Sequence, residues 1–535
     1  MADLKLEAEQ LETVQRPAVN IYQKESTFSR YIPGGYSPTR CLKLTGKPMM
    51  YAILSLAGCA IMFFGYDASV MSLVNTNEDY LTLMGAASGS DRDSAAIGGL
   101  VSLWFGGFAI GAICVGHYAD RIGRLKTIEL GCLWGILGAA LQASAQNFTW
   151  MAFARIIGGI GCGHLNTVVP IWTSELADPH LRGAFVAVEF TLALTGSTMY
   201  SQTPPQQDHA NIVVCIGWIL LVAVPFYPES PRHLTKIEKH DDARQVLMQC
   251  RLDPADIKIE QEMLEIEDAI RLEASSTSHS FYSMLFTKDR LHTRRRVILG
   301  AGVQVMQKLT GIDFIATYAP EMFTLAGYGG DKPALLAGGN YISYTASLAL
   351  AIYLADRFGR RKLMLAGSTM MGILAHEVVS KSAKGQTAEA NRLGGGVAAV
   401  LYLYTFMYGS TWLTTCWVYP TEIFPLASRA KGVALATVAF SIAGGVINEI
   451  VPYLINAIGF WVFILFALIN LAMLIPTYLF YIETANRHLE DLDLLFAGES
   501  HLSWRAEREF EALKGKYVEH VEEGVGTQQV REVGA

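Results

Sequence analysis

Asp67, Arg155, Glu189, Lys308, Asp313 and Glu449 each stand inside an otherwise apolar stretch of the chain. A lone charge at the centre of a bilayer costs roughly 2.5–3.5 kcal/mol on insertion scales, so such residues face a partner or a polar interior. Asp67 and Arg155 allow two readings. They form a permanent buried ion pair, or Asp67 takes up a proton whenever Arg155 disengages, because desolvation favours the neutral acid and a nearby guanidinium favours the carboxylate. Lys308 and Asp313 could neutralise one another, or Asp313 could grip hydroxyl groups purely as an acceptor. Glu189 and Glu449 are site candidates by default, unless a neighbouring hydroxyl or Lys308 satisfies them. No nucleophile–base constellation accompanies these groups, and the eight cysteines are scattered without metal-ligand spacing. The pattern asks for no cofactor and no metal, and it does not describe an enzyme.

A second set of charges recurs in order. Asp120, Arg121 and Arg124 return as Asp356, Arg357 and Arg360; Glu175 and Arg182, seven apart, return as Glu422 and Arg429, also seven apart; Glu229 and Arg232 return as Glu483 and Arg487. Three signatures at matching points mean a duplicated unit. Either they are topogenic charges anchoring loops, or carboxylates and guanidiniums form bidentate pairs between helices. A lock on one face only, broken when that face opens, suits two halves rocking about a site near the midplane.

The elements that would position these groups are apolar spans. Of 535 residues, 51% are hydrophobic and 17% charged, with a mean hydropathy of +0.28. A bilayer core asks for about 20 apolar residues per helix, and that ruler marks spans near 50–72, 95–117, 126–145, 150–172, 183–203, 211–227, 297–319, 334–354, 363–380, 396–419, 431–456 and 459–481. The expected fold is an all-α membrane protein of twelve helices. A polar segment at 1–49 precedes a six-helix bundle at 50–228; a linker at 229–296 with short amphipathic helices leads to a second bundle at 297–481 and an acidic tail at 482–535. The tail holds 12 acidic and 6 basic residues, most of the net charge of −7. No basic arm points to nucleic acid. Lys and Arg concentrate in the loops that carry the repeated signatures, which places those loops, the linker and both termini in the cytoplasm. No cleavable leader precedes the first span.

Phe64-Gly65-Tyr66-Asp67, the two Asp-Arg-x-Gly-Arg loops, Arg155 with its following glycines, Pro228-Glu229-Ser230-Pro231-Arg232 and Glu483-Thr484 carry a resemblance. Over roughly residues 50–495 the chain resembles the sugar porter family of the major facilitator superfamily in its fungal form. The resemblance implies alternating access and, for members with the Asp–Arg pair, proton symport through Asp67 and Arg155. It implies a sugar pocket at Gln307, Tyr318, Trp417 and Asn448, with a core- or lipid-facing aromatic as the alternative for Trp417. The pattern also departs: Lys308, Asp313 and Thr317 replace the usual Gln, Asn and Tyr, Phe190 stands in place of a binding Gln, and Gly444-Gly445 in place of Asn-Trp. With Glu189 and Glu449 these make a pocket more charged than a hexose carrier's. The short stretch from Gly183 to Tyr227 reflects a trimmed protein or a lost exon. The expectation is a monomeric plasma-membrane carrier that takes a small polyhydroxylated solute, a sugar or polyol, inward with a proton. Facilitated uniport, carriage of a sugar acid or other hydroxylated acid, and a non-transporting nutrient sensor are the alternatives.

Overall fold

The computed structural model describes residues 41–511 apart from 75–76, 87–90, 178–181, 203–207, 252–255, 276–280, 287–291, 326–327, 331, 385–389, 426–427, 486, 488–491, 493–494 and 497–499. The regular elements among them are helices. The first half contains α1 (Lys47–Val74), α2 (Asp91–Ile122), α3 (Arg124–Ala143), α4 (Phe148–Leu176), α5 (Arg182–Gln202) and α6 (Asp208–Ala223), with a two-turn helix at Glu78–Met84 between α1 and α2. The second comprises α7 (Thr293–Leu309), α8 (Ile312–Thr317), α9 (Ala319–Leu325), α10 (Lys332–Phe358), α11 (Arg360–Lys384), α12 (Ala390–Tyr408), α13 (Thr414–Ile423), α14 (Arg429–Ile458) and α15 (Val462–Phe480). Between them lie helices at Pro231–Lys236, His240–Cys250 and Phe281–Phe286, which are short, and one at Asp256–Ser275, which runs to 20 residues. By length and composition, Lys47–Met71, Ala95–Ile122, Arg429–Ile455 and Val462–Phe480 are apolar enough to cross a membrane. Outward-facing Tyr51, Phe153, Trp218 and Ile475 are exposed.

Local chemistry explains where the helices start and break. Asn147 caps α4, its side chain accepting from the Trp150 amide at 2.9 Å. The apolar span expected as one helix over 297–319 is divided into α7, α8 and α9. Gly311, at φ +88°, takes the left-handed conformation that favours glycine, and Thr310 turns its hydroxyl back to the Gln307 carbonyl at 2.6 Å. The carbonyl of Thr310, freed by the break, accepts from Asn470 Nδ2 at 3.0 Å and from the Tyr404 hydroxyl. A broken helix survives in an apolar setting when its loose backbone groups find such partners. The span expected over 396–419 likewise contains a π-helical turn, Gly409–Leu413, between α12 and α13; such turns re-aim side chains and recur at functional sites.

Within the first half, α2 packs on α4, α4 on α3 and α1 on α5. Glycines make the α2–α4 approach possible: Gly107 lies against the Ile156 carbonyl, Gly159 against that of Trp104 and Gly163 against that of Phe108. Between halves, α2 packs on α14 and α5 on α10. Hydrogen bonds between neutral groups cross that seam, from Ser102 Oγ to the Gly445 carbonyl at 2.8 Å and between the Thr198 and Thr345 hydroxyls at 3.2 Å.

Candidate functional site

Asp67 is 3% exposed, and its carboxylate is held by uncharged donors from three sides. Trp104 Nε1 on α2 donates to Oδ2 at 2.7 Å, Gln142 Nε2 on α3 donates to Oδ1 at 3.0 Å, and Cys162 Sγ on α4 lies 3.5 Å from Oδ2. Arg155 is joined to the same network: its guanidinium donates to the Asp67 carbonyl at 3.4 Å and to Gln142 Oε1 at 3.2 Å, and lies 5.5 Å from the Trp104 ring centroid. Gln142 therefore bridges the acid and the base, donating to one and accepting from the other. Trp104 and Gln142 carry no charge to mark them; the only trace in sequence is an indole and an amide within apolar spans.

Trp104 and Arg155 also line a cavity of about 140 Å³ between the halves, roomy enough for several waters and hence a small solute. Its far wall is built by α7, α8 and the π-turn region. Lys308 meets Asp313 at 2.7 and 2.9 Å; the two residues expected to neutralise one another or to act apart are paired. The break at Gly311 allows this, since five residues of unbroken helix would turn the two side chains to different faces. The Lys308 ammonium also lies over the rings of Phe440 and Phe105, 3.9 and 4.9 Å from their centroids, which stabilises a desolvated cation. Trp417 lines the cavity, stacked on Phe190 from the other half at 5.0 Å. Gln307 lines it too, its Nε2 donating to the Tyr408 hydroxyl at 2.7 Å.

The remaining predicted binding residues lie elsewhere. Asn448 and Tyr318 stand behind the lining: Asn448 Nδ2 donates to Asp313 Oδ2 at 3.3 Å, and Tyr318 donates to the Asn448 carbonyl at 3.1 Å. Glu189 is fully buried, accepting from Thr173 Oγ1 at 2.6 Å, and is not part of the lining. Glu449 opens onto a separate apolar hollow between α2 and α14. Phe190, next to Glu189 in the chain, lines the cavity, and Phe105 lines both the cavity and the hollow that Glu449 faces.

At the motif end the repeat is visible atom by atom. Arg124 pairs with Asp120 and Glu175, both at 2.9 Å, and Arg360 pairs with Glu422 at 2.8 Å. Glu229 accepts from the Arg124 and Leu125 amides at 3.0 and 3.2 Å, and Glu483 from the Arg360 and Arg361 amides at 2.8 and 3.2 Å. Arg232 adds its charge beside Asp120; Arg487 reaches Glu507 at 4.0 Å. Arg121 and Arg357 are exposed, Arg357 meeting Tyr353, and Arg429 is half-buried at the start of α14. The side chains of Arg182 and Asp356 lie outside the described residues. The charge pattern predicts a clasp between halves; these pairs instead join helices within each half. The reason is in the repeat itself, because a unit that carries both the acid and the base of every signature can satisfy them internally.

Two helical units enclosing a central cavity with buried charges define a carrier of the major facilitator type. The fold is similar to that of the proton:xylose symporter XylE of E. coli, with a TM-score of 0.71 at 20% identity over 84% of this chain and all of that one. The chain is 29% identical to the MFS-type transporter criB of Aspergillus cristatus over 82% of its own length and 92% of that protein's. It is 27% identical to the high-affinity glucose transporter of Kluyveromyces lactis, over 90% and 89% respectively. Residues 52–496 match the family described as Sugar (and other) transporter, and the chain belongs to that family. It is an integral membrane transport protein, not an enzyme.

Proposed function

We propose that this protein carries a small polyhydroxylated solute by alternating access, coupled to a proton taken up at Asp67. The observation that carries the reading is the position of Trp104, which lines the cavity and donates to Asp67 with its indole N–H. A change of charge on Asp67 is thereby one side chain away from the solute. Gln142 supplies the link to Arg155 that lets the acid alternate between an engaged and a protonated state. In this reading all twelve apolar segments cross the bilayer, counting α7–α9 as one and α12–α13 as one. The Lys/Arg bias puts the motif end in the cytoplasm, and the monomer works in the plasma membrane. The names of the symporter and the glucose transporter above agree with a sugar or polyol as solute.

The test is uptake of labelled hexoses, pentoses, polyols and hydroxy acids into liposomes bearing the full chain, with and without an acid-outside pH gradient. Uphill accumulation driven by the gradient is expected in the wild type. In Asp67→Asn accumulation is lost while exchange at equal concentrations persists. Uphill accumulation by that variant would refute the coupling role.

A further inference from the structure

Glu449 takes no part in the central cavity, yet it stands where a carboxylate is expensive. It is half-buried on α14 and lines the hollow between α2 and α14, two helices with apolar spans long enough to cross a membrane. Ile442, Val446 and Ile450 line the same hollow and are exposed on the outside of the bundle. The hollow therefore opens toward the bilayer. A charge in that setting is costly unless a cation meets it. Among the described residues none does, and the Glu449 carboxylate has no hydrogen-bond or ion-pair partner there.

The hollow itself suits an alkyl chain. It encloses about 400 Å³ and runs from Ser102 to Ala109 along α2 and from Ser441 to Ile450 along α14. At 1.5 Å per residue that is about 10–14 Å, most of the roughly 15 Å of hydrocarbon in one leaflet. Its two serines offer nothing polar to a guest, because Ser102 donates to the Gly445 carbonyl at 2.8 Å and Ser441 to the Thr437 carbonyl at 3.0 Å. Gly106 deepens it, since an added Cβ there would meet nothing within 4 Å.

The carboxylate marks the end of the hollow remote from the motif loops. Glu449 Oε2 lies 3.8 Å from where a Gly99 Cβ would be, and the Glu449 backbone lies against Gly98. Those glycines are three and four residues inside the α2 span that begins at Ala95, and Glu449 is six residues short of Ile455, where the α14 span ends. The acid is thus about 5–9 Å below the span ends. A lipid chain lying in the hollow brings its headgroup to that level. Charge then selects the headgroup: a primary ammonium donates charge-assisted hydrogen bonds to a carboxylate, a quaternary ammonium has no N–H to donate, and a glycerol phosphate sets one anion beside another.

We propose that the hollow between α2 and α14 is a binding site for a phospholipid with a primary-ammonium headgroup, its acyl chain along Gly106 and Gly445 and its ammonium on Glu449. Because α2 belongs to the first half and α14 to the second, the lipid bridges the two.

The full chain would be reconstituted in phosphatidylcholine liposomes containing a trace of phosphatidylethanolamine, phosphatidylcholine or phosphatidylglycerol with a diazirine on one acyl chain, then irradiated and digested. Label on peptides covering 98–110 and 441–450 is read relative to label around Ile475, which is exposed on α15. The ethanolamine lipid is expected to exceed the other two by about tenfold, equivalent to about 1.4 kcal/mol. Glu449→Gln, checked for a monodisperse gel-filtration peak, should bring that label down to the choline level and leave the label at Ile475 unchanged. Equal labelling of the wild type by the ethanolamine and choline lipids overturns the proposal and describes a hollow that takes any acyl chain. An ethanolamine preference kept in Glu449→Gln also overturns it. The wild-type comparison decides even if the variant fails to fold, and neither outcome touches the carrier reading, which solute uptake tests separately.

Discussion

Glu229 seals the start of the helix that begins at Arg124: one carboxylate oxygen takes the amide of Arg124 and the other that of Leu125, while the Arg124 side chain turns away to Asp120 and Glu175. The helix is entered through Gly123 at φ +96°, where an added Cβ would lie 2.6 Å from Glu229 Oε2. Glu483 seals α11 in the same way after Gly359, at φ +86°. The loop motif and the distant glutamate thus form one capping device, built twice.

Removing the cap should be costly in either half. Glu229→Ala takes the acceptor from the amides of Arg124, Leu125 and Ser230, and Glu483→Ala from those of Arg360, Arg361, Thr484 and Ala485; loss of an N-terminal cap costs about 0.5–2 kcal/mol. Thermal unfolding of the detergent-purified protein should show both variants destabilised. Glu229→Gln, which keeps one acceptor oxygen but loses the negative charge at the helix N-terminus, should fall between the wild type and Glu229→Ala. Equal stability of Glu229→Ala and the wild type would show that the cap contributes nothing.

These signatures were legible in the sequence because each is local in spacing and marked by charge, so Arg124, Glu175 and Glu229 announce Arg360, Glu422 and Glu483. Which helices the pairs would join was not legible, since spacing along the chain says nothing of neighbours across a bundle. The donors on Asp67 were invisible for a different reason: Trp104 and Gln142 are neutral, and only three-dimensional packing brings α2 and α3 to the acid. Gly444 stands where the resembled family has an Asn, and the ring of Phe105 fills the space, 2.6 Å from where a Gly444 Cβ would be. Compensation between distant helices of this kind leaves no trace in a single sequence.

Lys308 and Asp313 should behave as a coupled pair. Removing one partner leaves an uncompensated buried charge, at a cost of about 3–5 kcal/mol, whereas replacing both by apolar groups of similar volume is often near neutral. Lys308→Met and Asp313→Leu are each expected to lower the unfolding temperature strongly, and the double variant to recover most of the loss. A double-mutant cycle read by thermal unfolding measures the coupling. Additive losses would mean that the 2.7 Å contact contributes no pairing energy.

Gly311 carries two separable constraints. Its φ of +88° strains any L side chain, and an added Cβ would meet the Phe466 ring at 2.7 Å. Gly311→Ala should therefore destabilise by about 1–3 kcal/mol. Adding Phe466→Ala to Gly311→Ala relieves the steric part alone. The double variant should then lose less than the sum of the two single losses, with the residual reporting the backbone strain.

His233 gives the fold an acid-sensitive element outside the spans. It is 4% exposed, and burial followed by the Arg124 charge pushes its imidazole down to about 3. In the unfolded chain it titrates near 6.5, so between these values the unfolded state binds a proton that the folded state refuses. Stability from this group is therefore present above pH 6.5 and is lost as the pH falls toward 3. From pH 7.5 to pH 5 the loss should be about 2 kcal/mol, at roughly 1.4 kcal/mol per unit. Glu229, whose carboxyl is raised by burial, contributes with the opposite sign, stabilising below its unfolded value and losing that contribution as the pH rises through its folded one. His233→Asn removes the imidazole and leaves Glu229 in place, so the difference between the two proteins isolates the histidine. Unfolding measured at both pH values should show the acid-induced loss smaller by about 2 kcal/mol in the variant; an unchanged loss would place the acid sensitivity in another group.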